Sequence, residues 1–522
     1  MDTATESERK YDTPKEFALP ELAGLAGAAG VEQVGEPQTH ELDATYFDTE
    51  DLRLARHRTT LRRRTGGHDA GWHLKTPGSG DDRTEQRVPL RDGDEAAADQ
   101  VPGELLALVR AIVRDRPLRP VARLRTRRRE YPLQDGTGRV LALLADDRVR
   151  AESDGSEQRW REVEVELVDG DRTVLKALDK RLRKAGAQPA SGPSKLARAL
   201  GDRLSAGAGD TAADSRQAKP VRAVLDYVRA QRDAVIANDA GVRRGDPAAV
   251  HAMRVATRRL RSTLRTFRGG IWPRERTQRL RGELSWLADR LGGVRDRQVM
   301  TTRLHQTVTA QPPELIVGPV DARIREHLDG DLHQGRQSLD EALVDSRYFA
   351  LLDELDGLVD TPPEGRVRGA WVRRRAARAL RQADDLLDQA TAAPAEHPDD
   401  GSTDTDPAEQ RHHRDEKLHD ARKAYKQARY AVEVFAPREG APARRLVKRL
   451  TALQDVLGEH QDSVITAELL RDYAGRAHAA GDSGFSYGIL YARQLAAGES
   501  VLAGLPRARR AARNVKLRRW LR

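Results

Sequence analysis

Two stretches decide the N-terminal fold: Glu6-Ser7-Glu8-Arg9-Lys10, and Arg161-Glu162-Val163-Glu164-Val165-Glu166-Leu167. Both alternate with period two, so Glu6, Glu8 and Lys10 share one face of a strand and Glu162, Glu164 and Glu166 share one face of another. The same parity recurs at Arg62 and Arg64, at His73 and Lys75, at Arg83, Glu85 and Arg87, and at Arg123, Arg125 and Arg127. Gly- and Asp-rich turns (Thr65 to Gly71, Pro77 to Asp82) separate these segments, which continue through Val140 to Leu144. Helical stretches are predicted over Pro102 to Arg114, about Arg172 to Ala185, and Ser194 to Leu204.

Alternating charge is ordinarily the mark of a solvated sheet face. Here the charges segregate: carboxylates sit on the first and last strands, mainly cations on those between. Solubility calls for mixing, whereas a metal–polyphosphate complex calls for acidic oxygens around the ion and guanidinium or ammonium groups around the phosphates. Opposite faces are apolar in places (Trp72, Leu74; Val163, Val165, Leu167) and can pack under helices. A sheet closed with its charged face inward makes a polar tunnel, whose interior charges need a bound ion and ligand as compensation.

The chain has 522 residues, no cysteine, and 33% charged against 4% aromatic residues. Disulfides, a thiol nucleophile and Cys-ligated metal are therefore excluded. No apolar run approaches a membrane span and the N-terminus reads MDTATESERK, so a cytoplasmic protein without membrane association is expected. Residues 1–200 hold 35 Lys+Arg and 36 Asp+Glu, a net of −1; the remainder holds 91−35 = 56 and 81−36 = 45, a net of +11. The whole basic excess lies C-terminally and points to a polyanionic partner there. The Walker-type phosphate loop G-x-x-x-x-G-K-[ST] is absent.

Residues 205–218, SAGAGDTAADSRQA, read as a linker. Beyond it the period becomes 3.6, broken by an acidic, flexible insertion at 391–416. The two helical halves repeat one another. His251/His419, Arg254/Arg422, Arg258/Lys426, Arg261/Arg429 and Phe267/Phe435 match at an offset of 168; Gly292/Gly458 and Asp296/Asp462 match at 166. His251, Arg254, Arg258, Arg261 and Arg265 lie on one stripe of a helix, opposite Met253, Leu260, Leu264 and Phe267. A cation stripe with almost no acid repels itself unless a counter-anion arrives. Neither histidine has a second ligand at metal-binding spacing, and His412 and His413 fall in the acidic insertion. Gly292, Arg295, Asp296, Gly458 and Asp462 are expected to cap helices and buttress the basic residues.

The ordered set E-x-E-x-K, LRRR (61–64), WHLK (72–75), R-x-E (83–85), R-x-R (125–127), DDRV (146–149) and REVEVEL (161–167) resembles the CYTH superfamily. Its members include triphosphate tunnel metalloenzymes, thiamine triphosphatases and class IV adenylyl cyclases. The resemblance implies an eight-stranded antiparallel tunnel, with helices, that binds a triphosphate and Mg²⁺ or Mn²⁺. Carried over by position, it implies Glu6, Glu8, Glu162 and Glu164 as metal-side carboxylates, with Asp147 (or Asp146) as a further one. Lys10, Arg62, Arg64, Lys75, Arg125 and Arg127 become phosphate ligands, and Glu85, Arg87 and Lys195 further tunnel residues. Glu6, Glu8 and Lys10 would carry the chemistry, hydrolysis of a terminal phosphoanhydride.

The motifs H-x-x-R-V-x-x-R-R-L-R, LGGVRD, H-x-x-R-K-x-x-K and LGEHQD resemble the CHAD domain, a duplicated α-helical bundle. That resemblance implies inorganic polyphosphate as ligand of His251, Arg254, Arg258, Arg261, His419, Arg422, Lys426 and Arg429. Few aromatics leave few stacking platforms for nucleic acid, the competing polyanion. The chain thus reads as an α+β multidomain protein: a triphosphate tunnel domain over 1–204, the 205–218 linker, an all-α polyphosphate-binding domain over 219–505, and a basic tail over 506–522. The expected function is a metal-dependent triphosphatase acting on inorganic triphosphate, with the helical module delivering chains, localising the enzyme to polyphosphate granules or regulating it. The alternatives are a non-catalytic polyphosphate-binding protein, or activity on thiamine triphosphate or as an adenylyl cyclase.

Overall fold

Charge alternation along each strand builds a closed sheet. The structure, a computed structural model, describes residues 2–14, 16–22, 30–77, 82–90, 100–205, 217–361, 363, 365–392 and 407–521. It divides into two units, 1–208 and 209–522. The predicted linker falls largely outside the described residues.

In the first unit the barrel strands are β1 (Asp2–Asp12), β3 (Gln38–Asp48), β4 (Thr60–Thr65), β5 (Gly71–Pro77), β6 (Asp82–Pro89), β7 (Arg119–Gln134), β8 (Val140–Ser153) and β9 (Ser156–Leu167). Two-residue strands β2 (Gln33–Val34) and β10 (Gln188–Pro189) pair with β7 and β1. Neighbours run β1-β6-β5-β4-β3-β7-β8-β9, all antiparallel, and β1 closes the ring. Its first half pairs with β6 (Glu6 opposite Arg83) and its second half with β9 (Lys10 opposite Glu164). This is the expected eight-stranded tunnel, with no free edge among those strands.

The outer face of β8 and β9 is apolar. Leu144, Val163 and Val165 are buried with Val174, Leu175, Leu178 and Leu182 of helix α3 (Arg172–Lys184). Asp171 caps α3 by accepting from the Thr173 N–H at 2.7 Å. One end of the lumen is stoppered rather than open. Ala44, Tyr46, Ala122, Leu124, Val149 and Ala151 form one core with Leu196, Ala199 and Leu200 of α4 (Lys195–Leu200). Ser194 caps α4 through the Ala197 N–H at 3.1 Å, which leaves Lys195 at its first turn beside the lumen.

The second unit is all helical. Its first half comprises α6 (Lys219–Arg243), α7 (Pro247–Thr266), α8 (Arg274–Thr309) and α9 (Val320–Val344). After α10 (Ser346–Asp360), the second half comprises α11 (Gly369–Thr391), α12 (Pro407–Glu433), the short α13 (Ala436–Glu439), α14 (Ala441–Ala479) and α15 (Phe485–Leu502). The halves pack in the same order, α6·α7·α8·α9 and α11·α12·α14·α15, and α7 meets α12 between them. The duplication read from the sequence is therefore a structural repeat. Two expectations change. The acidic insertion is shorter than 391–416, since the chain is helical from Pro407. The basic tail folds as α16 (Leu505–Ala512) and α17 (Val515–Arg518), and three of its arginines have acidic partners: Arg513 donates to Asp388 at 2.7 Å, Arg509 to Asp388 at 2.5 Å, and Arg518 to Asp384.

Leu178 is fully buried in the α3 interface. Leu178→Ala is expected to destabilise the first unit by about 2–5 kcal/mol, read as a lower denaturation midpoint with unchanged slope.

Candidate functional site

The lumen of the first unit holds a cavity of about 340 Å³. Alternation in β1, β4, β5, β6 and β9 delivers Glu6, Glu8, Lys10, Arg62, Arg64, Lys75, Arg83, Glu85, Arg87, Glu164 and Glu166 to its wall; β3 and β7 add Tyr46, Thr126, Arg128 and Glu130. On one side Glu6 accepts from Arg87 at 3.0 Å and pairs with Lys75. Glu85 binds Arg87 and faces His73 Nδ1 at 3.0 Å, with Lys75 at 3.6 Å. Burial raises the Glu6 carboxyl despite Lys75. Glu166 is pushed up to about 7 by burial and by Glu6 and Glu8.

Across the lumen, cations crowd without equal compensation. Arg62 is tied only to the Tyr46 hydroxyl at 3.3 Å, and Arg64 to Asp69 at the cavity rim. The Nε atoms of Arg62 and Arg64 are buried with no hydrogen-bond partner. Burial, together with the charges of Arg62 and Arg128, brings the Arg64 guanidinium down to about 9. Buried unsatisfied donors of one sign make an anion hole.

The acidic side is made by Asp147, Glu162 and Glu164, each offering one carboxylate oxygen within 4.8 Å of the others. All three are buried. Lys195 Nζ lies between them, 2.9 Å from Asp147 and 2.7 Å from both Glu162 and Glu164. Lys10 donates to Glu164 at 2.5 Å and lies 3.2 Å from Glu8; Arg128 forks onto Asp147 at 2.9 and 2.8 Å and reaches Glu164 at 2.7 Å. Burial works against the charge of Glu164, but Lys10, Lys195 and Arg128 outweigh it and hold the carboxyl well below its usual range. Asp147 is held low in the same way by Lys195 and Arg128. An all-oxygen donor set fits a hard divalent cation such as Mg²⁺ or Mn²⁺. Glu8 Oε1, buried and accepting no hydrogen bond, is an additional ligand atom in reserve.

In the helical unit, Arg254 forks onto Asp296 (2.8 Å for both bonds) and Arg422 approaches Asp462 at 3.7 Å. Gly292 and Gly458 lie in the middle of α8 and α14, so they cap nothing. They lie beside the arginines: an added Cβ would meet Arg254 Nε or Arg422 Nε at 3.8 Å, an ordinary contact. Lys426, half-buried, is pulled down to about 7 by burial and by Arg258, Arg422 and Arg254, against Asp462. Burial and the charges of Arg295, Arg258 and Arg254 lower His251. Arg258 Nε is buried without a partner. Both repeats thus feed one cation cluster.

A CYTH domain model matches residues 4–200 and a CHAD domain model matches residues 226–471. The chain belongs to the CYTH–CHAD family. It is 38% identical over 519 residues to "Uncharacterized protein Rv2226" of Mycobacterium tuberculosis (strain ATCC 25618 / H37Rv), covering 94% of this chain and 92% of the relative. The CDC 1551 / Oshkosh strain's "Uncharacterized protein MT2285" matches to the same extent. Among solved structures, PptA from Streptomyces chartreusis is 22% identical, with 55% of this chain and 98% of that one covered and a TM-score of 0.44. A putative adenylyl cyclase from Hippeastrum, whose description states a dominant triphosphatase activity, is 19% identical over 37% of this chain and 94% of that one, with a TM-score of 0.25. The CYTH domain places the chain with the triphosphate tunnel metalloenzymes.

Within the CYTH domain the structure brings Glu6, Glu8, Lys10, Arg62, Arg64, Lys75, Glu85, Arg87, Asp147, Glu162, Glu164 and Lys195 to the lumen and its acidic end. Arg125 and Arg127 are corrected: they point outward, with side chains 45% and 65% exposed, and pair with Asp43, Glu152 and Glu41. The β7 register sets Arg128 opposite Asp147, and Arg128 is the inward cation. Asp147, not Asp146, faces inward; Asp146 is forked by Arg161 at 2.8 Å on the outside. The sequence reading also missed Tyr46 on β3, a strand absent from its set of segments, although Leu42-x-Ala44-x-Tyr46 alternates there.

Within the CHAD domain, His251, Arg254, Arg258, Arg422 and Lys426 converge, joined by Arg295, which the sequence placed among the buttressing residues. His419 stands on the flank, 2.7 Å from Gln461 Oε1. Arg429 is held by Gln454 at 2.9 Å and Glu433 at 3.2 Å, and Arg261 belongs with Arg265, Arg268 and Arg281 instead. Lys195→Met leaves three buried carboxylates with too few cations. It is expected to cost about 3–5 kcal/mol at pH 7.5 in urea denaturation, with millimolar Mn²⁺ restoring more stability to the variant than it adds to wild type.

Proposed function

We propose that this protein is a divalent-metal-dependent triphosphatase acting on inorganic triphosphate, and that its CHAD domain binds inorganic polyphosphate. The observation that carries the first half is the closed 340 Å³ lumen with partnerless guanidinium Nε atoms (Arg62, Arg64) facing a three-carboxylate cluster. Tyr46 is the single Phe, Tyr or Trp among the lining residues, and its hydroxyl is engaged by Arg62. A thiamine ring or an adenine therefore has no flat apolar platform, whereas a bare triphosphate needs none.

Arg62, Arg64, Lys75 and Arg128 grip the phosphate oxygens, fix the chain in line for attack and neutralise charge as it develops. A divalent cation held by Asp147, Glu162 and Glu164 supplies Lewis-acid stabilisation of phosphate oxygens when bound. Lys10 bridges the two sides through Glu8 and Glu164 and keeps both carboxylates ionised. Water adds to the terminal phosphorus and the bridging P–O bond breaks, giving orthophosphate and pyrophosphate. One observation favours a second reading, a tunnel that only binds: the Lys195 ammonium already sits among the carboxylates.

Mg²⁺-dependent phosphate release from triphosphate separates the two. Arg128→Ala is expected to lower kcat/KM roughly 10²-fold or more, as loss of a charge-stabilising donor does, while Arg125→Ala on the outer face stays within about twofold. No release above background from wild type leaves the binding-only reading standing.

Polyphosphate affinity should depend on pH through Lys426. Burial and like charges hold its free-state value at about 7, and an arriving anion raises it, so binding takes up a proton. Affinity falls as pH rises from 6 to 8.5. Lys426→Arg, which stays charged, flattens that dependence in a fluorescence anisotropy titration.

A further inference from the structure

Away from the central cluster, seven arginines gather where three helices of the CHAD domain meet. Arg261 and Arg265 lie on the last turns of α7 and Arg268 just beyond its end; Arg274 and Arg281 lie on the first turns of α8; Arg375 and Arg378 lie on the first turns of α11. The spacings within the helices (i, i+4 in α7; i, i+7 in α8; i, i+3 in α11) put each helical set on one face, and Arg268 follows from the turn after α7. The turn between α7 and α8 is tight, with Gly269 at φ 72° and its N–H donating to the Trp272 carbonyl at 3.1 Å. Arg375 Nε donates to the Thr266 carbonyl at 2.7 Å, which docks α11 on the end of α7. Electrostatically the seven form one group. Arg281 is lowered by burial and by Arg265, Arg268 and Arg261, and Arg375 by burial and by Arg378, Arg268 and Arg274.

Among the described residues, none of the seven forms an ion pair with a carboxylate. Their neighbours on other faces do: Arg279 with Glu354 at 2.8 Å, Arg347 with Glu283 at 2.6 Å, Arg259 with Glu433 at 2.5 Å. The C-terminal dipole of α7 favours a cation or two in its last turn, not seven across three helices. The second repeat does not reproduce the set: the residues 168 positions after Arg265 and Arg268 are Glu433 and Ala436, although Arg261 and Arg281 map onto Arg429 and Arg449.

We propose that this group is an outer binding site for a linear inorganic polyphosphate, continuing the central cluster along α7 on the first-repeat side only. The proposal rests on the polyphosphate reading of the CHAD domain and deepens it. From Arg254 to Arg265 is 11 residues, about 16 Å of helical rise, and Arg268 lies beyond. Three phosphorus atoms joined by P–O–P bridges cannot span that distance, whereas a long chain engages both clusters at once. Guanidinium forks suit phosphate oxygens, and their number suits a ligand with charge at every unit. The domain therefore reads chain length and binds the chain asymmetrically.

The test is fluorescence anisotropy of labelled long-chain polyphosphate on the full-length protein, in EDTA so that no hydrolysis intervenes, with folding checked by circular dichroism. Arg268→Gln/Arg281→Gln is expected to weaken binding roughly tenfold or more, by loss of two charge-assisted contacts. Arg279→Gln, the same charge change at an ion-paired position, stays within threefold. A loss under threefold for the outer pair, with binding abolished by Arg254→Gln/Arg422→Gln, overturns the outer site and leaves the polyphosphate reading intact. Equal losses from Arg279→Gln and the outer pair also overturn it, since net charge alone would then be at work. Absence of wild-type binding removes the polyphosphate reading itself. Displacement by single-stranded DNA at equal phosphate concentration, lost equally in the outer variant, assigns the group to nucleic acid instead.

Discussion

An ionised group taken out of water costs several kcal/mol unless a counter-charge goes with it, and the CYTH barrel is arranged around that cost. Its lumen sets a buried carboxylate cluster (Asp147, Glu162, Glu164) against guanidinium groups that lack carboxylate partners of their own inside it, Arg62 and Arg64. The acidic cluster is balanced internally by Lys10, Lys195 and Arg128. The guanidinium groups are less fully balanced, with Arg62 resting on a tyrosine hydroxyl. The fold thus carries its surplus where a phosphate chain would relieve it. Helix α4 serves both ends of the problem, stoppering the lumen with Leu196 and Leu200 while its first residue supplies an ammonium to the carboxylates.

The CHAD domain meets the same constraint differently. Its cations lie on helix surfaces, where water shares the load. The pairs Arg254–Asp296 and Arg422–Asp462 hold single side chains in position without cancelling the cluster. Duplication supplies the convergence, since α7 and α12 meet and each carries half of the central group.

Much of this was legible in the alternation of charge. Glu6, Glu8, Glu162 and Glu164 needed no knowledge of the fold beyond period two, and the helical stripes needed only 3.6. Failure came where both parities offered a plausible residue. Five arginines between Arg123 and Arg129 satisfy either face of β7, and Asp146 and Asp147 satisfy either face of β8. The deciding features were Leu124 and Thr126, the uncharged residues four and two positions before Arg128, and the acids Glu41, Asp43 and Glu152 waiting on neighbouring strands outside. The helices and ion pairs of the tail were not legible for another reason. Its partners Asp384 and Asp388 lie more than a hundred residues away, and no local pattern announces them.

The outward ladder on β7 has its own effect. A slip of one residue would carry Arg123, Arg125, Arg127 and Arg129 into the lumen and turn Leu124 and Arg128 out, stripping Asp147 of its fork. Nearly identical neighbours usually make a strand easy to misalign. Here the repetition does the opposite for any odd slip, because each one buries several uncompensated charges at once. The arginine run that obscured the site in the sequence acts as an alignment key while the barrel closes.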